Sequence, residues 1–300
     1  MNVESSVSYA SRIRALARAM RPHQWSKNVL VFAAPIAAGS INTRDVLGPA
    51  LLAFVAFCLA SSATYLFNDA RDVASDRLHP TKRNRPIAAG LISPFTAYVV
   101  GTVLLAVALI VGFSTTRNLG ITLVAYLLLT TSYSLWLKHQ PILDIVAVAT
   151  GFVLRAIAGA AATDLPISEW FFIVISFGAL LVVIGKREGE LHALGEKAGS
   201  VRSTLGTYTP EFLRYLRSVA TGVVVISYCL WAFDSANASP NAATWFELSI
   251  VPFVIAIFQY GLILEHGGGE NPEEILTHNR SMIAAGVAWA IIYAYAVYRA

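Results

Sequence analysis

Long apolar runs alternate with short polar connections along this chain, and the pattern predicts helices that cross a membrane. Nine runs are close to the roughly 20 residues that a bilayer core requires of a helix. Their approximate bounds are 27–41, 47–67, 91–114, 118–136, 141–162, 168–185, 213–234, 244–264 and 280–298. We therefore predict an all-α, polytopic membrane protein, in which residues 1–300 form a single integral membrane domain with nine transmembrane helices.

The composition supports this class and argues against others. Hydrophobic residues make up 56% of the 300 residues, charged residues only 13%, and the mean hydropathy is +0.60. A soluble globular domain carries about 25% charged residues. A soluble enzyme, a disordered chain and a fibrous protein are therefore disfavoured. Cys58 and Cys229 lie inside apolar runs, so they indicate neither a disulfide framework nor a metal cluster.

The basic residues predict the orientation of the chain. If the N-terminus is cytoplasmic, 18 of the 22 Lys and Arg residues lie on the cytoplasmic side, three lie outside and Arg155 lies within a span. The positive-inside rule favours this arrangement. We predict a multi-pass protein of the inner or plasma membrane, with its N-terminus and active site in the cytoplasm. Residues 9–22 separate arginines from apolar residues on a helical wheel, which predicts an amphipathic helix at the membrane interface.

The strongest polar cluster follows the second apolar run, with the pattern N-D-x-x-D-x-x-x-D. Its members are Asn68, Asp69, Asp72 and Asp76. If one helix continues through the cluster, the three carboxylates fall within about 60° of one another. A divalent cation relieves their repulsion, and hard oxygen ligands beside a substrate phosphate suit Mg²⁺. The alternative is a solvated helix end that Arg71 and Arg77 balance. We favour a magnesium site.

Basic and polar side chains near the predicted cytoplasmic ends provide candidate ligands for phosphate groups. These substrate-binding candidates are Lys27, Asn68, Arg83, Arg85, Tyr133, Lys138, Lys186 and Arg187. Anchoring to anionic lipid is the alternative for any one of the cations. Two carboxylates, Asp144 and Glu190, join Asp72 as catalytic candidates. We expect the segments 68–90 and 186–212 to be cytoplasmic catalytic loops.

Two further features receive structural interpretations. Arg155 lies deep in the fifth run, so we expect it to face a protein interior or a wet cavity and to hold helices together. The late segment 265–270 contains three consecutive glycines, and we expect a flexible, solvated turn there.

Nine spans, with one polar cluster after the second and another after the sixth, resemble the UbiA superfamily of intramembrane prenyltransferases. The family's first motif, N-x-x-x-D-x-x-x-D, is matched here by Asn68, Asp72 and Asp76. The resemblance implies that these residues bind the Mg²⁺-diphosphate of a donor. The family's second motif is a D-x-x-x-D pair, and this chain has K-R-E-G-E over 186–190 instead.

That departure, together with R-P-x-Q-W-x-K-N over 21–28 and K-R-x-x-E-L over 186–191, resembles one branch of the superfamily. Members of that branch transfer 5-phosphoribose from phosphoribosyl diphosphate (PRPP) to a polyprenyl phosphate such as decaprenyl phosphate, for arabinogalactan-type cell walls. The implied partners are PRPP, the lipid phosphate and membrane lipids, with Mg²⁺ as cofactor. We expect no nucleic-acid partner and consider a homo-oligomer possible.

Within this interpretation, Mg²⁺ on Asp69, Asp72 and Asp76 would assist the departure of diphosphate. Asp144 or Glu190 would lie near the positive charge that develops on the ribose. One alternative keeps the fold but moves an isoprenyl chain to an aromatic acceptor, which predicts two acidic motifs. A transporter is the other alternative, and it predicts polar residues near the membrane midplane rather than at one face.

Overall fold

The structure is a computed structural model that describes residues 9–270, 275 and 279–300. Throughout this part of the chain the regular elements are helices, which confirms the all-α prediction. The α-helices are α1 (Tyr9–Ala19), α2 (Ala33–Ala37), α3 (Arg44–Arg71), α4 (Val73–Leu78), α5 (Pro94–Thr115), α6 (Arg117–Leu135), α7 (Leu143–Thr163), α8 (Glu169–Leu194), α9 (Ala198–Val201), α10 (Pro210–Ala238), α11 (Ala243–Glu265) and α12 (Arg280–Arg299).

Eight of the helices in the described residues are long and apolar enough to cross a membrane: α3, α5, α6, α7, α8, α10, α11 and α12. The predicted count of nine is not confirmed, because the run 27–41 is not one long α-helix. It lies instead in a 3₁₀ helix over Pro22–Phe32 followed by the short α2. Pro35 lies in α2 and has no amide hydrogen for an i→i−4 bond, which disfavours a continuous α-helix here.

The 3₁₀ geometry affects the reach of this first segment. A 3₁₀ helix rises about 2.0 Å per residue and an α-helix about 1.5 Å. The 11 residues of the 3₁₀ helix and the five of α2 therefore extend roughly 30 Å. This matches the thickness of a hydrocarbon core. The segment is therefore long enough to cross the membrane, as the predicted orientation of the chain requires, although it is not one long α-helix.

Polar residues in the connections fix where several long helices begin. A side-chain oxygen of the residue before the helix accepts a hydrogen bond from a backbone N–H of the first turn, as expected of N-caps. The capping residues are Ser93, Ser168, Thr209 and Asn279, before α5, α8, α10 and α12. Proline occupies the first helical position of α5 and α10, where its missing N–H costs little.

The chain divides into two compact units. The first contains the residues up to Pro35, Ile41–Ser134 and Leu154–Leu165. Its core is rich in small side chains, with Ala53, Ala56 and Ala60 of α3 fully buried. Small residues allow helix backbones to approach closely. Gly159 lies so close to the 3₁₀ helix that a Cβ there would be 1.8 Å from the carbonyl oxygen of Val31.

The second unit contains Ile36–Ser40, Leu135–Val153 and Pro166–Ala300. Its long helices α8, α10, α11 and α12 are joined by an apolar core and by an aromatic cluster. The cluster includes Tyr228, Trp231 and Tyr293, and the ring of Tyr293 stacks on that of Trp289 with centroids 5.3 Å apart. The helix α7 contributes its first half to this unit and its second half to the first unit.

Two polar connections of this second unit differ in part from what the sequence predicts. The helix α8 continues to Leu194, so the segment 186–212 begins as helix rather than loop. The glycine-rich segment is a turn in which four of six residues are exposed, as expected, but it also packs against α8. Gly269 is buried, and a Cβ there would be 2.1 Å from the carbonyl oxygen of Gly185. A Cβ on Gly189 would be 2.3 Å from the backbone nitrogen of Glu270.

Candidate active site

The predicted aspartate cluster lies in the first unit, where α3 gives way to α4. The backbone departs from helical angles at one residue, Asp72, with φ −89° and ψ 9°. Hydrogen bonds of the i→i−4 type persist on both sides, from the amide of Asp72 to the carbonyl of Asn68 and from Asp76 to Asp72, each 2.9 Å. The condition for the stripe, one uninterrupted helix, is therefore not met at Asp72, and the three carboxylates form a pair and a single residue.

The pair consists of Asp69 and Asp76, whose side chains are both almost fully buried. A single nitrogen, Nη1 of Arg85, donates to Oδ1 of Asp69 at 3.1 Å and to Oδ2 of Asp76 at 2.7 Å. Nη2 of Arg21 donates to the same Oδ1 of Asp69 at 2.7 Å. We call these four residues the aspartate centre. The negative charges of two buried carboxylates are balanced there by the positive charges of two arginines.

Asp72 lies one turn before Asp76 and is not bridged by Arg85. Its carboxylate accepts a hydrogen bond from Nε of Arg71 at 3.0 Å, and 40% of the side chain is exposed. Asn68 is half-buried. Among the described residues, no group of three His, Cys, Asp or Glu side chains has an arrangement that could hold a metal ion. The structure therefore does not contain the three-aspartate stripe that a continuous helix predicts.

The aspartate centre nevertheless has the donor chemistry of a Mg²⁺ site. One oxygen each of Asp69 and Asp76 converges on a single cationic nitrogen, at 3.1 and 2.7 Å, and the two oxygens would have to lie within about 4.2 Å of each other to share one ion. Mg²⁺ is commonly bound by one or two carboxylates, with water and substrate phosphates as its remaining ligands. Two convergent carboxylates satisfy that requirement, and the exposed side chain of Asp72 is one turn away.

The basic residues near this centre have different partners. Arg83, a predicted phosphate ligand, has an exposed side chain. Nε of Arg77 donates to the carbonyl of Ala88 at 3.2 Å, which fixes the connection between α4 and α5. Arg85 alone among the three donates to the carboxylates. Arg21 was not predicted as their partner, although it opens the R-P-x-Q-W-x-K-N motif, and its guanidinium also lies over the Tyr65 ring, 4.6 Å from the centroid.

The 3₁₀ segment that carries Lys27 is fixed to α3. The indole nitrogen of Trp25 donates to the hydroxyl of Ser62 at 3.1 Å, and that hydroxyl donates to the carbonyl of Met20 at 3.0 Å. The Nζ of Lys27 donates to Oε1 of Gln24 at 2.6 Å. These bonds hold the backbone around Lys27 in place, and its side-chain amine bonds within the same segment.

Tyr133, another predicted substrate ligand, lies in the last turn of α6 and is half-buried.

Arg155 has the structural surroundings that we expected. It is buried, its Nε donates to Oδ1 of the fully buried Asn28 at 2.8 Å, and its Nη2 donates to the hydroxyl of Tyr126 at 2.9 Å. Its guanidinium also lies 4.8 Å from the centroid of the Tyr126 ring. These contacts connect α6, α7 and the 3₁₀ helix, which makes Arg155 a residue of the protein interior.

The second polar centre lies in the second unit around Asp144, in the first turn of α7. Asp144 is completely buried. Its Oδ2 accepts from Nε of Arg187 and from the hydroxyl of Thr204, each at 3.2 Å, and its Oδ1 accepts from the hydroxyl of Tyr208 at 2.5 Å. Nη1 of Arg187 in turn donates to Oε2 of Glu190 at 2.8 Å. We call these five residues the Asp144 centre.

The backbone that presents Asp144 is strained. Ile142 has φ +67°, a value that β-branched residues rarely adopt. Its amide donates to the Tyr208 hydroxyl at 2.7 Å, so one hydroxyl joins this backbone to the carboxylate. Burial raises the pKa of Tyr208, and the hydrogen bond to Asp144 raises it further. The hydroxyl therefore stays protonated and remains a donor at neutral pH.

Thr204 and Tyr208 were missed by the sequence analysis. They lie 60 and 64 residues from Asp144, in the polar segment between α8 and α10, and no spacing rule links positions so far apart. Nη1 of Arg202, from the same segment, lies 3.7 Å from Oδ2 of Asp144. Lys138 and Lys186 are half-buried; Lys138 lies in the short 3₁₀ turn Leu137–His139.

The remaining carboxylate of the K-R-E-G-E segment, Glu188, has a different arginine partner. Arg217 of α10 is buried, its Nε lies 3.5 Å from Oε2 of Glu188, and it also donates to Oε2 of Glu265 at 2.5 Å and to the carbonyl of Gly261 at 3.0 Å. Arg217 therefore ties α10 to Glu188 of α8 and to α11. Each acidic residue in K-R-E-G-E thus has an arginine beside it, Glu188 with Arg217 and Glu190 with Arg187.

The profile of the UbiA prenyltransferase family matches residues 29–267 of the chain. The chain is 41% identical over 296 residues to a protein of Mycolicibacterium smegmatis named decaprenyl-phosphate phosphoribosyltransferase, which covers 95% of the chain and 93% of that protein. It is 42% identical over 287 residues to a protein of the same name from Corynebacterium glutamicum, covering 94% of the chain and 86% of that protein.

Solved structures show the same fold at lower identity. A UbiA homolog from Archaeoglobus fulgidus bound to GPP and Mg²⁺ has a TM-score of 0.69 at 20% identity, over 94% of this chain and 99% of that chain. A digeranylgeranylglyceryl phosphate synthase structure has a TM-score of 0.64 at 14% identity, over 95% of this chain and 98% of that chain.

Proposed function

This chain belongs to the UbiA prenyltransferase family, and from that premise we propose that it transfers 5-phosphoribose from PRPP to a polyprenyl phosphate. The products are a polyprenylphosphoryl-5-phosphoribose and diphosphate. Near-complete alignment with proteins named decaprenyl-phosphate phosphoribosyltransferase supports this proposal and makes decaprenyl phosphate the acceptor of choice. The product would enter the synthesis of arabinogalactan-type cell-wall precursors.

The observation that carries the proposal is the added positive charge at the end of α8. A prenyl transfer between two metal-binding motifs predicts an acidic pair there, and this chain has Lys186 and Arg187 beside its two glutamates instead. Glu190 is bonded to Arg187 and Glu188 lies beside Arg217, so this end of α8 supplies cations and arginine-paired carboxylates. Such a site suits substrates that carry additional phosphate groups.

The chemistry places modest demands on acid–base groups. A lipid phosphate is already an anion at neutral pH, so it requires no general base to act as a nucleophile. It does require cations, because it must approach a second polyanion. The predicted phosphate ligands Lys27, Lys138 and Lys186 would meet this requirement. Arg187 is 3% exposed, so it would contribute its positive charge while it stays bonded to Asp144 and Glu190.

We assign metal binding to the aspartate centre. Asp69 and Asp76 would hold Mg²⁺, and Asp72 would join them by leaving Arg71. The bound ion would act as a Lewis acid for the departing diphosphate. Arg85 and Arg21 flank the same carboxylates and would meet the phosphates at their edge, with the exposed Arg83 as a further cation.

We assign Asp144 a positioning role. Asp144 or Glu190 was predicted to stabilise positive charge on the ribose, but the Asp144 carboxylate accepts from Arg187, Thr204 and Tyr208 and is completely buried. An enclosed carboxylate cannot touch a sugar. Instead it would orient the guanidinium of Arg187, whose Nη1 donates to Glu190. Glu190, which is part-exposed, is the better candidate for contact with a substrate.

The membrane context extends this proposal. The chain is an integral membrane protein; we propose the inner or plasma membrane, with the N-terminus and both polar centres on the cytoplasmic side, where PRPP is available. The helix α1 would then lie along the cytoplasmic interface. A homo-oligomer remains a prediction from the sequence.

A product assay on the purified protein in detergent tests the function. The protein receives Mg²⁺, PRPP and a polyprenyl phosphate in one reaction, and a polyprenyl diphosphate with 4-hydroxybenzoate in another. We expect a lipid-extractable ribose phosphate in the first reaction only, and its loss when EDTA is added. Product from the second reaction alone would overturn the proposal and show that K-R-E-G-E can replace an aspartate motif.

A further inference from the structure

We propose that Arg85 is an exchangeable cation: it bridges Asp69 and Asp76 when no metal is bound and passes to the phosphate when the metal–diphosphate arrives. The inference rests on the metal site assigned above and adds a positioning residue that makes metal binding depend on the diphosphate. It arises from one geometric feature, a single guanidinium nitrogen shared by two buried carboxylates.

The bridge accounts for how the two carboxylates remain close together. Their oxygens lie within hydrogen-bonding distance of the same Nη1, and both side chains are at most 5% exposed. Two buried carboxylates this close repel one another strongly. A cation between them removes that repulsion. Arg85 is that cation in this structure, and a Mg²⁺ ion in its place would neutralise the same two carboxylates.

The two arginines of the centre differ in their partners. Arg21 donates to Asp69 and also stacks over Tyr65, a contact that does not depend on the carboxylates. Arg85, in the connection between α4 and α5, directs both of its hydrogen bonds to the two carboxylates. When Arg85 leaves, Asp69 retains Arg21, whereas Asp76 loses the cation bonded to it. Asp76 is therefore the carboxylate at which an incoming metal replaces Arg85.

This arrangement makes the binding of the metal and the binding of diphosphate depend on each other. Metal alone must displace two charge-assisted hydrogen bonds and send Arg85 into solvent. Metal with diphosphate offers Arg85 new acceptors of the same kind. The diphosphate should therefore raise the affinity for metal, and the metal should raise the affinity for diphosphate by the same factor.

The test measures metal binding, with Mn²⁺ as the probe. The full-length protein in detergent is dialysed to equilibrium against radioactive Mn²⁺, with and without inorganic diphosphate at equal concentration on both sides, and each affinity is referred to the Mn²⁺ that diphosphate leaves uncomplexed. We expect diphosphate to strengthen Mn²⁺ binding to the wild type by at least about fivefold. In Arg85→Gln we expect Mn²⁺ alone to bind at least about fivefold more tightly, and the strengthening by diphosphate to shrink by a similar factor, because only the diphosphate's own ligation of the metal remains.

Matched variants separate this role from folding and from charge in general. Lys82→Gln removes one exposed positive charge from the same connection and should behave as wild type. Arg85→Lys keeps a cation and should keep weak binding of Mn²⁺ alone. If Arg85→Gln does not fold, Arg85→Met, which also lacks the charge, takes its place with the same expectations. Unchanged or weaker binding of Mn²⁺ alone in Arg85→Gln, or an equal gain in Lys82→Gln, would overturn the inference.

The outcome is distinguishable from failure of the proposed function. If the Mn²⁺ results follow expectation but PRPP and polyprenyl phosphate give no product, the phosphoribosyl assignment fails and the role of Arg85 stands. If product forms but Arg85→Gln shows the diphosphate dependence of the wild type, Arg85 is a fixed structural residue and the inference fails.

Discussion

The two polar centres combine the same residue types but differ in exposure. In the aspartate centre, Arg21 and Arg85 leave 24% and 30% of their side chains exposed. In the Asp144 centre, Arg187 is 3% exposed and Asp144 is not exposed at all. Each carboxylate has an arginine, so neither centre is an isolated cluster of charge.

Exposure determines what each ion pair is able to do. A partly exposed guanidinium can return to water when its carboxylate finds another cation, so it can change partners during a reaction. A fully buried pair cannot, because separating it leaves an uncompensated charge in a low-dielectric interior. We infer that the aspartate centre binds and releases ligands, whereas the Asp144 centre fixes the geometry of Arg187.

Breaking the buried pair should have the largest effect on stability. We expect Asp144→Ala to destabilise the protein by about 3–5 kcal/mol, because the buried Arg187 keeps only the part-exposed Glu190 as a carboxylate partner. Thermal unfolding in detergent measures the loss. Adding Arg187→Met should restore much of the stability but none of the turnover. If the double variant is as unstable as Asp144→Ala, the lost ion pair is not the cause.

Removing Asp72 should affect chemistry without affecting folding. We expect Asp72→Ala to lower turnover by at least about 100-fold, since a carboxylate that joins the metal on catalysis is absent. Its exposed pair with Arg71 contributes at most about 1 kcal/mol, so the melting temperature should change little. Steady-state turnover and thermal unfolding are measured on the same preparation. Activity near that of wild type would leave Asp69 and Asp76 as the only carboxylates assigned to the metal.

Removing one hydroxyl should weaken the Asp144 centre moderately. Tyr208→Phe leaves the buried Asp144 carboxylate and the Ile142 amide each short of a hydrogen bond, at a cost of about 1–3 kcal/mol. Tyr215→Phe removes a hydroxyl from an exposed tyrosine of α10 and provides the control, with a change within about 0.5 kcal/mol. Equal melting temperatures for the two variants would show that the Tyr208 hydroxyl does not hold the centre together.

The exposed pair should give the smallest effect. Arg71→Gln removes the partner of Asp72, and we expect a stability change below about 1 kcal/mol. A loss as large as that of Asp144→Ala would contradict the distinction between exposed and buried pairs. Thermal unfolding again provides the measurement.

Patterns along the chain predicted the membrane class and most of the helices, since apolar runs of sufficient length have few alternatives. They did not predict the 3₁₀ helix at Pro22–Phe32, because hydropathy does not distinguish it from an α-helix. The kink at Asp72 was missed for a similar reason: N-D-x-x-D-x-x-x-D fits an uninterrupted helix equally well.

The site was predictable in its residue types but not in its pairings. Arg85 and Asp76 were both identified as candidates, but the sequence does not reveal that one arginine bridges two aspartates. Arg21 lies 48 residues from Asp69 and Tyr208 lies 64 from Asp144. Such contacts depend on how the helices pack, and a single sequence contains no record of that packing.

The most direct test of the proposed reaction follows the phosphorus atoms of the donor. PRPP is prepared with radioactive phosphorus either in the 5-phosphate or in the diphosphate, and each is incubated with the protein, Mg²⁺ and decaprenyl phosphate. The account predicts that the 5-phosphate label moves into the lipid extract while the diphosphate label stays in water. Diphosphate label in the lipid, or no label in the lipid from either donor, would contradict it.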